Sequence, residues 1–73
     1  MTVDVLSPYG CVVFEHCVTV GATVSEGQEL IVVEAMKMMN TVAAPCAGTV
    51  TWLESPGTCV DAEATIGRIT TED

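Results

Sequence analysis

Leu30-Ile31-Val32-Val33-Glu34-Ala35-Met36-Lys37-Met38-Met39-Asn40 is the stretch on which the fold turns, because its two ends ask for different structures. Leu30 to Val33, with Gln28 and Glu29 before them, read as a buried strand of apolar and β-branched residues. Glu34, Ala35, Met36, Lys37, Met38 and Met39 are strong helix formers, and local propensity alone predicts a short helix from about Glu34 to Met39. No Asn-Gly or Asp-Gly pair marks a two-residue hairpin there. Lys37 is also the only lysine among 73 residues. A lone amine in a segment whose local preference conflicts with its surroundings is a candidate functional site, since local consistency fails most often at such sites.

Outward from this stretch the pattern is β throughout. Val3-Asp4-Val5-Leu6 alternates and stops at Ser7-Pro8-Tyr9-Gly10, which has the composition of a turn. Cys11 to Val20 reads as one long β segment ended by Gly21; its valines and Phe14 suit a half-buried pleated surface, and no helical period runs through it. Ala22-Thr23-Val24 is brief, Ser25-Glu26-Gly27 is a turn, and Asn40-Thr41-Val42-Ala43 leads out of the lysine stretch. Then the plan repeats. Gly21-Ala22-Thr23-Val24-Ser25-Glu26-Gly27-Gln28-Glu29-Leu30 is echoed, 36 positions later, by Gly57-Thr58-Cys59-Val60-Asp61-Ala62-Glu63-Ala64-Thr65-Ile66. Pro8-Tyr9-Gly10-Cys11-Val12 is echoed by Pro45-Cys46-Ala47-Gly48-Thr49-Val50. Two copies are too few for a solenoid, which buries its faces only with three or more, so a closed pseudo-symmetric pair of sheets is expected. Ser55-Pro56-Gly57 supplies a tight turn with Pro presetting φ and Gly permitting a positive one. Gly67-Arg68-Ile69 closes the last strand, and Thr70-Thr71-Glu72-Asp73 is expected to fray. Lys37 falls where one half gives way to the other.

The whole chain bounds what such a site can do. Residues 1–73 are expected to form one domain with a core over about 3–69, and a domain this size buries only about 60% of its unfolded surface. Ten acids against two bases give a formal charge of −8, which argues against nucleic acid or an anionic membrane as partner, since both require cationic patches. Apolar residues make up 49% of the chain, yet no run approaches the length needed to span a bilayer, and Met1-Thr2-Val3-Asp4 lacks the pattern of a signal peptide, so a cytoplasmic protein is expected. Cys11, Cys17, Cys46 and Cys59 show no Cys-x-x-Cys spacing, and Cys59 aligns with Thr23 in the repeat; free and largely buried thiols are expected, with no metal site, no Cys-His nucleophile and His16 on a strand surface. Paired carboxylates in an evident cleft, a Gly-rich phosphate loop and a catalytic triad pattern are all missing from the sequence, and a chain this short hardly encloses a pocket, so an independent enzyme is not expected.

Val33-Glu34-Ala35-Met36-Lys37-Met38-Met39-Asn40 resembles the biotin-acceptor site of biotinyl domains, the carrier modules of biotin-dependent carboxylases. The resemblance runs from about Val3 to Ile69. It implies an all-β fold, the biotinyl/lipoyl hammerhead: a flattened barrel or sandwich of two antiparallel four-stranded sheets with an internal pseudo-twofold. It puts the lysine of Ala-Met-Lys-Met in an exposed hairpin, against the helix that propensity suggests, and the chain termini at the other end. Met39-Asn40 resembles bacterial acetyl-CoA carboxylase carriers. Those often carry a protruding thumb, but Gly10 to Gly21 leaves no room for one, so a thumbless domain is expected.

The function that the resemblance implies is a swinging carrier. Biotin would be attached covalently at Lys37 by a biotin protein ligase, with Glu34, Ala35, Met36 and Met38 as ligase-recognition residues. The biotin would then shuttle CO2 between a biotin carboxylase and a carboxyltransferase acting on an acyl-CoA or keto acid, as in acetyl-CoA or another acyl-CoA carboxylase and fatty acid biosynthesis. The missing thumb leaves pyruvate carboxylase-like enzymes and sodium-pumping decarboxylases open as parents too. Methionines beside a lysine are on general grounds apolar filler, but their flexibility suits a surface that several partners must accept. Glu34 either steers the ligase or keeps the turn solvated. Two rival readings use the same fold. A lipoyl carrier of a 2-oxo acid dehydrogenase complex would use the same lysine but usually has an acidic residue where Met36 stands, and an unmodified interaction module would not need Ala-Met-Lys-Met.

Overall fold

The computed structural model describes residues 1–71, and among them the chain forms strands, turns and bends with no helix. Eight strands follow in order: β1 (Thr2–Leu6), β2 (Cys11–His16), β3 (Thr23–Val24), β4 (Glu29–Ala35), β5 (Met38–Ala43), β6 (Gly48–Leu53), β7 (Cys59–Val60) and β8 (Thr65–Thr70). They pair antiparallel into two four-stranded sheets, ordered β1-β8-β6-β3 and β5-β4-β2-β7. Each sheet draws two strands from each half of the chain. The body is elongated, 37 × 19 × 19 Å.

The repeat read from the sequence is a repeat of structure. Gly21 and Gly57 hold φ of 98° and 90°, and Gly27 and Glu63 hold 85° and 66°. Thr19 accepts from the Ala22 N–H as Ser55 accepts from Thr58, and Gly27 donates to Ala44 as Glu63 donates to Ser7. The bulge between Val13 and Glu15 on β2 has its mate between Val50 and Trp52 on β6. Side chains pointing between the sheets obey the same symmetry. Val13 and Val50, Leu30 and Ile66, and Val33 and Ile69 are equivalent pairs, all fully buried, and with Val5, Val24, Ile31 and Leu53 they form a single apolar core. Ser7 is the buried polar residue, and its Oγ donates to the Tyr9 carbonyl at 2.6 Å.

Several expectations need correction. The helix that local propensity alone suggested over 34–39 does not form, and the hairpin that the resemblance implied does: β4 runs through Ala35 and β5 starts at Met38. The long segment Cys11–Val20 is strand only to His16, because the Cys17 N–H returns to the Leu30 carbonyl and a turn from Thr19 to Ala22 follows. That connection is too short for a thumb, as expected. All four cysteines are free, but only Cys11 is buried; Cys46 is half-buried, and Cys17 and Cys59 are exposed, Cys17 beyond the end of β2 and Cys59 on the edge strand β7. His16 is half-buried at the end of β2, where its Nε2–H donates to the Glu54 carbonyl. Thr70 ends β8 and the Thr71 N–H donates to the Met1 carbonyl at 2.8 Å, so these two are not frayed; Glu72 and Asp73 lie outside the described residues.

Candidate functional site

Ala35 pairs directly with Met38, leaving Met36 and Lys37 as a two-residue turn between β4 and β5. Both have left-handed backbone, φ 51° for Met36 and 67° for Lys37, as a type I′ turn requires. Glycine normally fills such positions, since a Cβ there costs roughly 1–2 kcal/mol per residue, and asparagine is tolerated because its short side chain bonds the local backbone. The β4–β5 ladder running from Ala35–Met38 back to Glu29–Ala43 holds the turn closed. Tertiary pairing thus overrides helix propensity: the two central residues are turned left-handed, and their neighbours are already committed to strands. The side chains are presented outward, with Met36 95% and Met38 65% exposed and Lys37 exposed. Among the described residues Lys37 makes no hydrogen bond or ion pair; the one ion pair joins Arg68 to Asp4 at 3.2 Å, far along the sequence in the other sheet.

The remaining residues expected at the site sort by face. Glu34 lies opposite Met39 on β5 and opposite Val12 on β2, on the outer face of the sheet. Ala35, half-buried, and Met38 share the inner face, since directly opposed residues point the same way and the next inner pair is the buried Val33 with Asn40. The site therefore gathers Glu34, Ala35, Met36, Lys37 and Met38 at one end of the sandwich. An open groove of about 450 Å³ runs beside the turn between Gly10, Cys11, Val12, Glu34 and the edge strand residues Cys59 and Val60. A smaller, mostly apolar notch of about 240 Å³ lies on the inner side, walled by Tyr9, Ala35, Met36, Met38 and Asn40.

Tyr9 and Asn40 are the residues that sequence reasoning left out of the site. The Asn40 amide Nδ2–H donates to the Tyr9 hydroxyl, tying the β1–β2 turn to β5 just below the lysine hairpin. Tyr9 also packs against the core. The only sequence signal was that Tyr9 is the sole tyrosine and sits in a turn, which says nothing about its partner 31 residues away. The pseudo-twofold supplies an internal control. The positions equivalent to Tyr9 and Asn40 are Cys46 and Val3, which do not reproduce the hydrogen bond, and the place equivalent to the hairpin is where Met1 and Thr71 meet. Among the described residues the turn and the tyrosine–asparagine tie are thus found at one end only.

Comparison with known proteins agrees with this geometry. Residues 4–69 match the family described as biotin-requiring enzyme. The biotin carboxyl carrier protein of acetyl-CoA carboxylase from Streptococcus pyogenes is 59% identical over 34 residues, covering 47% of this chain and 20% of that protein. A biotin carboxyl carrier protein from Streptococcus mutans is 44% identical over 57 residues, covering 77% of this chain and 44% of that one. The crystal structure of Kluyveromyces lactis urea carboxylase superposes with a TM-score of 0.90 at 27% identity, over 96% of this chain and 6% of the other. The chain spans less than half the length of these relatives. Its two helix-free, four-stranded antiparallel sheets match the biotinyl domains of carboxylases. The chain belongs to the biotin-requiring family, as a non-catalytic carrier whose cofactor is covalently attached biotin.

Proposed function

We propose that Lys37 is the residue that carries biotin, and that the domain moves a carboxyl group between the active sites of an acyl-CoA carboxylase. The observation that supports this reading most directly is that the sole lysine stands at the tip of a left-handed turn, inside Ala35-Met36-Lys37-Met38, with its side chain exposed. In the attachment step the neutral Nζ attacks the acyl carbon of biotinyl-adenylate held by a biotin protein ligase. An amide forms, AMP leaves, and the amine proton passes to a base of the ligase. This chain contributes geometry: the paired strands fix the Lys37 backbone at the tip of the hairpin, from which the side chain reaches out. Met36, Met38, Ala35 and Glu34 are the recognition surface that the ligase meets.

Bound biotin supplies a nitrogen that accepts and releases CO2, and the partners would be a biotin carboxylase and a carboxyltransferase. Tethering the group at the end of the sandwich raises its effective concentration at both. The S. pyogenes relative and Met39-Asn40 support an acetyl-CoA carboxylase, hence a place in fatty acid biosynthesis. A cytoplasmic setting belongs to the same reading and is supported by four free thiols.

The test is intact-mass analysis after incubation with a biotin protein ligase, biotin and ATP, repeated on Lys37→Arg. The expected result is a single biotinyl adduct that is absent from the folded variant. An adduct that persists in Lys37→Arg, or none on the folded natural chain, rejects the reading; transfer by a lipoyl ligase would then identify a lipoyl carrier.

A further inference from the structure

The notch beneath the hairpin is the feature that the carrier reading leaves unused, and its chemistry suits the carrier's own cargo. Its walls are Tyr9, Ala35, Met36, Met38 and Asn40. Met36 and Met38 are among the most exposed apolar side chains of the described chain, and such a cluster is stabilised by anything apolar that covers it. Its rim is polar. One N–H of Asn40 is spent on the Tyr9 oxygen, which leaves the Tyr9 hydroxyl proton to donate and the Asn40 Oδ1 to accept. A donor beside an acceptor is what a cyclic urea requires, because its carbonyl accepts and its flanking N–H groups donate.

We infer that the notch formed by Tyr9, Ala35, Met36, Met38 and Asn40 is a resting seat for the bicyclic ring of biotin attached to this same chain. The seat rests on the proposal that Lys37 is the attachment residue. Asn40 lies three positions along β5 from Lys37, about 10 Å at the rise of a strand. The biotinyl-lysine arm has about ten single bonds of roughly 1.5 Å, so it can fold back over that distance with slack. With the ring seated, the apolar face of the ring covers Met38 and Ala35, Tyr9 Oη–H donates to the ureido oxygen, and Asn40 Oδ1 accepts from a ureido N–H. The notch is small and open, so the seat is shallow and the ring leaves it readily for a partner's active site. Its effect is to limit how far the ring wanders in solvent. The pseudo-twofold argues the same way: Cys46 and Val3, at the positions of Tyr9 and Asn40, build no such rim at the other end.

The experiment compares the unmodified and biotinylated full chain by nuclear Overhauser spectroscopy, after intact mass has shown one adduct. Tyr9 is the only tyrosine, so its ring protons are a unique reporter. Contacts between the Tyr9 ring and the protons of the biotin bicycle are expected. They should be lost in Asn40→Ala and retained in Thr41→Ala, which changes the opposite face of the same strand. An adduct-bearing chain with sharp, contact-free biotin resonances would overturn the seat while leaving the carrier function standing. Tyr9 contacts that survive unchanged in Asn40→Ala would also overturn it as drawn. A folded chain that accepts no biotin overturns the function itself, and the seat with it.

Discussion

Met36 and Lys37 stand in a conformation that their side chains disfavour, and the two residues differ in what can be done about it. At Met36, glycine removes the Cβ clash of roughly 1–2 kcal/mol but adds back the entropy of a freer unfolded chain, roughly 0.5–1 kcal/mol. Met36→Gly is therefore expected to stabilise the domain by up to about 1 kcal/mol, a rise of a few degrees in Tm for a chain of this size. The same change strips the outermost apolar side chain from the proposed ligase-recognition surface, so on that proposal biotin incorporation should slow while the melt moves up. A drop in Tm would show that the Met36 side chain makes contacts that matter more than the strain. Cys17 is the other residue with a shifted property. Burial pushes its thiol up, and the Glu29 and Glu15 carboxylates add repulsion of the thiolate. Since the folded state then holds its proton to higher pH than the unfolded state does, stability falls slightly as pH rises past the ordinary thiol range, and the effect is small because the residue is exposed. The kinetic consequence is easier to read. At pH 8 the Cys17 thiol should react with iodoacetamide more slowly than an unperturbed thiol, and Glu29→Gln should speed it; equal rates in the two chains would mean that Glu29 has no influence.

At the scale of elements, the duplicated turns allow one position to be tested against its twin. Gly27 and Glu63 occupy equivalent left-handed sites, yet only one is glycine. Gly27→Ala should cost roughly 1–2 kcal/mol, whereas Glu63→Gly should be neutral to stabilising by up to about 1 kcal/mol, both read from thermal melts. The next pair of equivalent positions is Cys11 and Gly48. A Cβ on Gly48 would meet the Thr70 carbonyl oxygen and Ile69 Cγ2 at 2.6 Å, because β6 is packed tightly against β8 there. Gly48→Ala should thus destabilise by roughly 1–3 kcal/mol, with Ala47→Gly on the neighbouring bend as the milder control. These elements also explain what the sequence disclosed. The repeat was legible because turns are local: Gly21, Gly57 and Pro56 write their φ values into the chain, and strands between them follow from β-branched runs. The lysine hairpin was not legible from its own residues, because helix formers at 34–39 are overruled by a ladder whose partners lie on both sides of the turn; only the family resemblance gave it. The Tyr9–Asn40 tie and the exposure of Cys17 and Cys59 were illegible for a related reason, since each depends on which strand ends up at an edge or across a loop.

The whole molecule is a duplication that has been interleaved. Because β1 and β3 sit in one sheet with β6 and β8, and β2 and β4 in the other with β5 and β7, neither half closes a sheet of its own. Both halves share one core, Val13 and Val33 of the first lying in a common cluster with Val50 and Ile69 of the second. A cut between Met36 and Lys37 falls in a turn that contributes strain rather than contacts, so it separates the requirements of folding from those of function. Fragment 1–36 and fragment 37–73, each alone, should be disordered by circular dichroism, as half a thin core cannot offset the entropy of ordering its chain. Mixed, they should regain the β spectrum and bring Trp52 back to its folded fluorescence, with a concentration dependence set by the lost tether. The recombined domain should nevertheless be a poor acceptor of biotin, because Lys37 is then the free end of β5 and no longer held left-handed between paired strands. A fragment that folds by itself would contradict the interleaved topology. Efficient biotinylation of the nicked pair would mean that the ligase reads the strands and side chains around the lysine, and that the closed turn is dispensable.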